Sequence, residues 1–131
     1  MKVLVGYNGS KASRLALDEA ARYARAFKAT VYIMISMEGG TSEKPEDIRR
    51  AAEVLHEAKA LMTAEGIPYE ISQLVRGMSP GEDLVYFARD NAIDHIFLGI
   101  EKTSRLGKLL MGSTAQYIIL KAHCPVTTVK P

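Results

Sequence analysis

Residues 94–122, DHIFLGIEKTSRLGKLLMGSTAQYIILKA, hold the passage that decides the fold. A short apolar run ends at Gly99, a basic connection follows with Lys102, Arg105, Gly107 and Lys108, and Gly112-Ser113-Thr114 opens a helix with an apolar face. A chain that passes from strand to helix through such a loop turns several N–H groups toward one point, where the helix dipole adds positive potential. That arrangement suits phosphate. The same residues also fit a plainer reading, in which Gly99 ends a strand, Ser113 caps a helix and the cations belong to a solvated loop.

The flanking sequence repeats the alternation. Lys2 to Tyr7 is an apolar run stopped by Asn8-Gly9-Ser10, which predicts a strand covered on both faces, as in a parallel sheet. Ser10 is placed to cap a helix whose apolar face is Leu17, Ala20, Ala21, Ala24 and Phe27. VYIMISM (31–37) predicts a second strand and EGGTSEK (38–44) a loop. Pro45 then starts a helix with a stripe of Ile48, Ala51, Ala52, Leu55, Ala58, Leu61 and Met62, stopped at Gly66. PYEISQLV (68–75) reads as a strand with one more exposed side, at a sheet edge. Ser79-Pro80 with Glu82 reads as a capping box ahead of Leu84, Val85, Phe87 and Ala88. After the central passage, Ala115, Ile118, Ile119 and Ala122 form a last helical stripe and PVTTV (125–129) a last strand. The order is β-α-β-α-β-α-β-α-β, an open α/β sandwich, since each interval supplies a helix long enough for a parallel crossover.

Composition sets the outer limits. A chain of 131 residues, 47% hydrophobic and 24% charged, is one globular domain, 1–131. A net charge of +2 is too small to argue for nucleic acid. The single Cys124 and the absence of a signal-like start lead us to expect a cytoplasmic protein, and no apolar run approaches the ~20 residues of a membrane span. Several chemistries lack their residues. Gly107-Lys108 is followed by Leu109, and the leading glycine of a Walker A loop is replaced by Lys102. His56, His95 and His123 stand apart, so no metal-ligand spacing exists. Bacterial response receivers share the alternation, but the positions where they hold paired acids and a phosphate-accepting Asp read Tyr7-Asn8-Gly9 and Val75-Arg76-Gly77.

The spacing Gly99, two residues, Lys102, nine residues, Gly112-Ser113 resembles the nucleotide loop of the universal stress protein family, whose ATP-binding members carry glycine where Lys102 stands. VLVGYNGSKAS, LVRGMSPGEDLVYFARDNAIDHIFLG and HCPVTTVKP fit the same family, so the resemblance covers nearly the whole chain. It implies a Rossmann-like fold of the adenine nucleotide alpha hydrolase-like kind: an open five-stranded parallel sheet of order 3-2-1-4-5 with helices on both faces. It also implies a site for AMP or ATP, with Mg accompanying ATP, at the carboxyl ends of the first and fourth strands. Gly6, Tyr7 and Asn8 match the end of strand one, with Asn8 in place of an Asp that contacts base and ribose. Ser36 matches a position whose backbone reads the adenine edge, Leu98 and Gly99 match the floor under the nucleotide, and Gly112, Ser113, Thr114 and Ala115 match the anion-binding helix start.

Lys102 leaves two outcomes open: its ammonium reaches phosphate oxygens, or its side chain fills their space. Glu101 beside it repels phosphate. The resemblance further implies a homodimer through the C-terminal strand, Pro125 to Val129. Three readings follow: an adenine-nucleotide-binding regulatory or stress-survival factor with at most slow ATP hydrolysis, a dimeric interaction module that holds no nucleotide, and, least favoured, an enzyme using His123 or Cys124.

Overall fold

The computed structural model describes residues 1–37, 44–100, 102–103 and 106–131, with backbone alone at 102, 103 and 109. In chain order the elements are β1 (Lys2–Gly6), α1 (Lys11–Phe27), β2 (Thr30–Met37), α2 (Pro45–Glu65), β3 (Tyr69–Val75), α3 (Pro80–Asp90), β4 (His95–Gly99), β5 (Lys102–Thr103), β6 (Leu109–Leu110), α4 (Ser113–Lys121) and β7 (Val126–Val129). Five strands form one parallel sheet in the order β3-β2-β1-β4-β7, the expected 3-2-1-4-5 topology. Within the connection that reads as a plain loop in sequence, β5 and β6 pair as a two-residue antiparallel ladder, Lys102 with Leu110 and Thr103 with Leu109. Runs this short carry no periodicity to detect.

Two apolar layers flank the sheet. On one face α1 and α2 bury Leu17, Ala20, Ala24, Leu55, Ala58 and Met62 against Val3, Val5, Val31 and Ile33. On the other, Leu84, Val85 and Ala88 of α3 and Ile118 of α4 pack on Leu4, Met34, Ile96 and Leu98. Each fully buried Leu or Ile contributes about 1.5–3 kcal/mol of transfer free energy. The helix stripes are narrower than the sequence pattern predicts. Phe27, Ile48, Leu61 and Ile119 are exposed, because a helix on a flat sheet buries one row of side chains and the flanking rows reach solvent. In α4 only Ile118 is fully buried.

The helix signals are largely realised. Ser10 caps α1, its hydroxyl oxygen accepting from the Ser13 amide at 3.2 Å, and Pro45 and Pro80 stand at helix starts. Ser79 occupies the N-cap of α3, but its hydroxyl donates to Glu82 Oε1 at 2.8 Å instead of binding the backbone. Gly112, not Ser113, is the N-cap of α4.

The tightest contact in the fold is at Gly99. A Cβ there would lie 2.4 Å from the Ala12 carbonyl carbon and 2.6 Å from the Ser13 nitrogen, so only a hydrogen lets the first turn of α1 press backbone to backbone on the end of β4. We expect Gly99→Ala to force strand and helix apart and cost about 1–3 kcal/mol in urea denaturation; an unchanged midpoint would show that the contact yields freely.

A second check uses pH. His95 stacks on Phe97 at 4.6 Å between ring centroids, and its Nε2 lies 2.7 Å from Thr127 Oγ1, tying β4 to β7. Burial lowers its pKa from the ordinary 6.5. The unfolded chain therefore binds the proton more readily, and stability present above pH 6.5 declines as pH falls through the lowered folded value. His95→Phe should flatten that decline in thermal melts taken at successive pH values, and an equal decline in the variant would assign it to other groups.

Candidate functional site

The strand order reverses between β1 and β4, and the crevice at such a reversal is where open α/β sheets hold ligands. A cleft of about 500 Å³ opens there, within the roughly 300–1,000 Å³ of small-ligand pockets. Nine of the residues expected from sequence line it: Gly6, Tyr7, Asn8, Ser36, Leu98, Gly99, Gly112, Thr114 and Ala115. Ser113 opens α4 but is not part of the lining. Lys102 is placed as backbone at the start of β5, and Glu101 lies outside the described residues.

One wall is the start of α4. The first amides of a helix have no intrahelical acceptor, and here the N-cap is Gly112, with no side chain to occupy them and no side-chain cap bond. The earliest backbone bond of the helix is from the Gln116 amide to the Gly112 carbonyl at 3.1 Å. Among the described residues the amides of Ser113, Thr114 and Ala115 therefore have no backbone acceptor and remain as donors, reinforced by the helix dipole. Gly99 forms the floor, and its missing side chain is what lets the cleft and the first turn of α1 meet at the strand end.

The opposite wall comes from the turn between β1 and α1. Gly9 adopts φ 80°, a left-handed conformation, with Val54 already 3.0 Å from where a Cβ would sit. The turn is braced by Asn8, whose Oδ1 accepts from the Ser10 amide at 3.0 Å, and by Ser13, whose hydroxyl donates to the Ser10 carbonyl at 3.1 Å. Asn8 thus commits its carbonyl oxygen to the turn and keeps its NH₂ group for a ligand, where an Asp would offer only acceptors. The ring of Tyr7 belongs to the core under α1 and α2, and its amide donates to the Met34 carbonyl at 2.9 Å, holding the ends of β1 and β2 together.

Sequence reasoning misses Ser10, Ser13, Met34, Pro80 and Leu84 as lining residues, along with the buried Asp83 behind them. A carboxylate one residue before Leu84, on the apolar side of a helix, is the signal that could have found Asp83. The cleft lining among the described residues contains no carboxylate, His, Cys or Lys. An anionic ligand would therefore meet amides and hydroxyls there, and the described lining offers no general base.

His123 and Cys124 do not assemble into a nucleophilic pair at this cleft. His123 Nε2 lies 3.0 Å from the Ile93 carbonyl oxygen. Burial first, then the nearby Asp94 carboxylate, pushes the Cys124 thiol up, which lowers its thiolate fraction.

Comparison with known proteins agrees with this architecture. The profile of the Universal stress protein family matches residues 1–130. A universal stress protein of Mycolicibacterium smegmatis is 30% identical over 129 residues, covering 98% of this chain and 97% of its own. A universal stress protein structure from Archaeoglobus fulgidus superposes with a TM-score of 0.88 at 40% identity, covering 98% of this chain and 96% of that one. Another from Archaeoglobus fulgidus, in complex with dAMP, gives 0.80 at 36% identity over 98% and 95% of the two chains. With the five-stranded order, the cleft at its reversal and a family match over nearly its full length, this chain belongs to the universal stress protein family.

Proposed function

We propose that this protein binds an adenine nucleotide, AMP or ATP, in the cleft between β1 and β4 and acts as a nucleotide-responsive regulatory or stress-survival factor without robust catalysis. The observation that carries the reading is the start of α4, whose first amides have no acceptor among the described residues and share one cleft with Gly99 and Asn8. The similar Archaeoglobus fulgidus protein in complex with dAMP supports a nucleotide of this class. On this reading the phosphate lies on the α4 amides, the sugar lies near the Asn8 NH₂ group, and the base lies toward Ser36 and the end of β2. The described lining offers no carboxylate to Mg²⁺ arriving with ATP.

Protein purified without nucleotide and titrated calorimetrically should bind AMP and ATP at one site per chain, with GTP weaker. Lys102→Ala should weaken ATP more than adenosine, by about the 1.5–3 kcal/mol of a hydrogen bond to a charged group, if the ammonium serves phosphate; tighter ATP binding in Lys102→Gly would mean that the side chain fills the space. No binding of AMP, ATP or GTP at millimolar concentration would instead support an interaction module without nucleotide. The observation favouring that second reading is Asn8, whose oxygen is already used by the turn.

We further propose that two copies pair through β7. The carbonyls of Pro125 and Val129 accept from the amides of Ile96 in β4 and Ile100 just beyond it, at 3.0 and 2.9 Å, so the alternation of a parallel ladder turns the backbone groups of Val126 and Thr128 toward the open edge. Thr128→Pro removes one edge donor and spares the β4 ladder. By light scattering the parent chain should be a dimer and the variant a monomer; dimers in both would place the contact elsewhere.

A further inference from the structure

Asp83 stands in the first turn of α3 with 0% of its surface exposed. A buried carboxylate persists as an anion only when it is paired and hydrogen-bonded. Arg76, one residue beyond β3, supplies the pair. Its Nε donates to Oδ1 at 2.7 Å, a terminal guanidinium nitrogen donates to the same oxygen, and that nitrogen also lies 3.5 Å from the Asp83 carbonyl oxygen. The remaining oxygen, Oδ2, accepts the hydroxyl proton of Ser36. A guanidinium does not release its proton in proteins, and an ionised carboxylate only accepts. The single proton of the Ser36 hydroxyl is therefore held toward Asp83, and among the described residues no donor occupies the lone pairs of Oγ.

Ser36 is at the same time part of the cleft wall. Met34, two residues earlier, is buried against α3, and the two-residue period of a strand puts Ser36 on that same side. Pro80 and Leu84, which line the wall beside it, come from α3 as well. An ordinary serine rotates its hydroxyl to suit either a donor or an acceptor. This one is fixed.

We propose that Ser36 Oγ, oriented as an obligate acceptor by Asp83 and Arg76, selects a base bearing an exocyclic amine over its oxo counterpart. The inference rests on the nucleotide reading of the cleft. The amine of adenine donates to Oγ, whereas the oxo group of hypoxanthine or guanine sets lone pairs against lone pairs with no proton between them. Rejection by a group that cannot complete its hydrogen bond is stronger than rejection by shape alone. Asp83 and Arg76 are positioning residues, acting only through the direction of one hydroxyl.

The test is calorimetric titration of AMP and IMP, which differ at that one position of the base with its ring proton, against the parent chain, Ser36→Ala, Ser36→Thr and Asp83→Asn. The parent should favour AMP by at least about tenfold. Ser36→Ala should shrink the AMP-to-IMP ratio by about tenfold, and Ser36→Thr, which keeps a hydroxyl, should retain it. In Asp83→Asn the amide oxygen accepts from Arg76 and the NH₂ group donates to Ser36, which frees the hydroxyl proton to turn toward the cleft; IMP should then gain on AMP. A purely structural role would weaken both ligands together and leave the ratio unchanged. A Ser36→Ala ratio within about twofold of the parent, or a parent that binds AMP and IMP equally, overturns this inference and leaves the nucleotide site standing. A parent that binds neither overturns both. Circular dichroism establishes whether Asp83→Asn is folded, and if it is not, the Ser36 variants decide the question.

Discussion

Backbone pressed on backbone at Gly99 is the constraint from which the rest of the molecule follows. Where β4 ends, the Ala12 carbonyl carbon of α1 lies 2.4 Å from the place any larger residue would put its Cβ. That proximity brings the first turn of α1, with Ser10 and Ser13, over the end of the sheet at the point where the strand order reverses. The chain leaving β4 then returns through β5 and β6 to open α4 on the other side of the same crevice. The cleft is a gap between two helix starts, and its width is set by how closely α1 can approach the strand. A bulkier residue would widen the approach and move the amides that face each other across it.

The three sides of the cleft differ in chemistry. At the α4 side the protein presents uncapped backbone donors and partial positive charge. On the α3 side the buried carboxylate of Asp83 is paired with the partly exposed guanidinium of Arg76, and the effect of this pair on the cleft passes through Ser36. Burying a carboxylate is costly even when it is paired, so orienting Ser36 gives Asp83 a use other than stability. Asn8 on the third side is oriented in a comparable way, since the turn takes its oxygen and leaves its NH₂ group. Backbone amides, Ser36 and Asn8 thus each meet a ligand with a defined donor or acceptor sense.

The alternation of strands and helices was legible in the sequence because it rests on local signals, whereas the strand order and most of the cleft residues came from the resemblance to the universal stress protein family. Apolar runs ending at Gly6, Met37, Val75 and Gly99, each followed by a helix, dictate the alternation, and the spacing of Gly99 and Gly112 marks the loop. What was not legible depends on tertiary placement. Nothing in SPGED says that Asp83 is buried while Glu82 is half-buried and bonded to Ser79, because that depends on the rotation of α3 against β2. The exposed rows at Phe27, Ile48, Leu61 and Ile119 were overread for a related reason: helical periodicity marks which residues can share a face, and the curvature and spacing of the layers decide how wide a face is covered. Ser113 reads as a cap by residue type, yet the chain bends one residue earlier and Gly112 takes that position.

The central claim is that the free amides of α4 receive an anionic ligand, and amide NMR tests it most directly. In a ¹⁵N-labelled sample titrated with AMP, the resonances of Ser113, Thr114 and Ala115 should move downfield in the proton dimension and saturate together with those of Gly99 and Asn8, as hydrogen bonds to phosphate form and the cleft fills. Saturating AMP that leaves the three α4 amides unshifted, or that moves a set of residues on another part of the surface, would contradict the account.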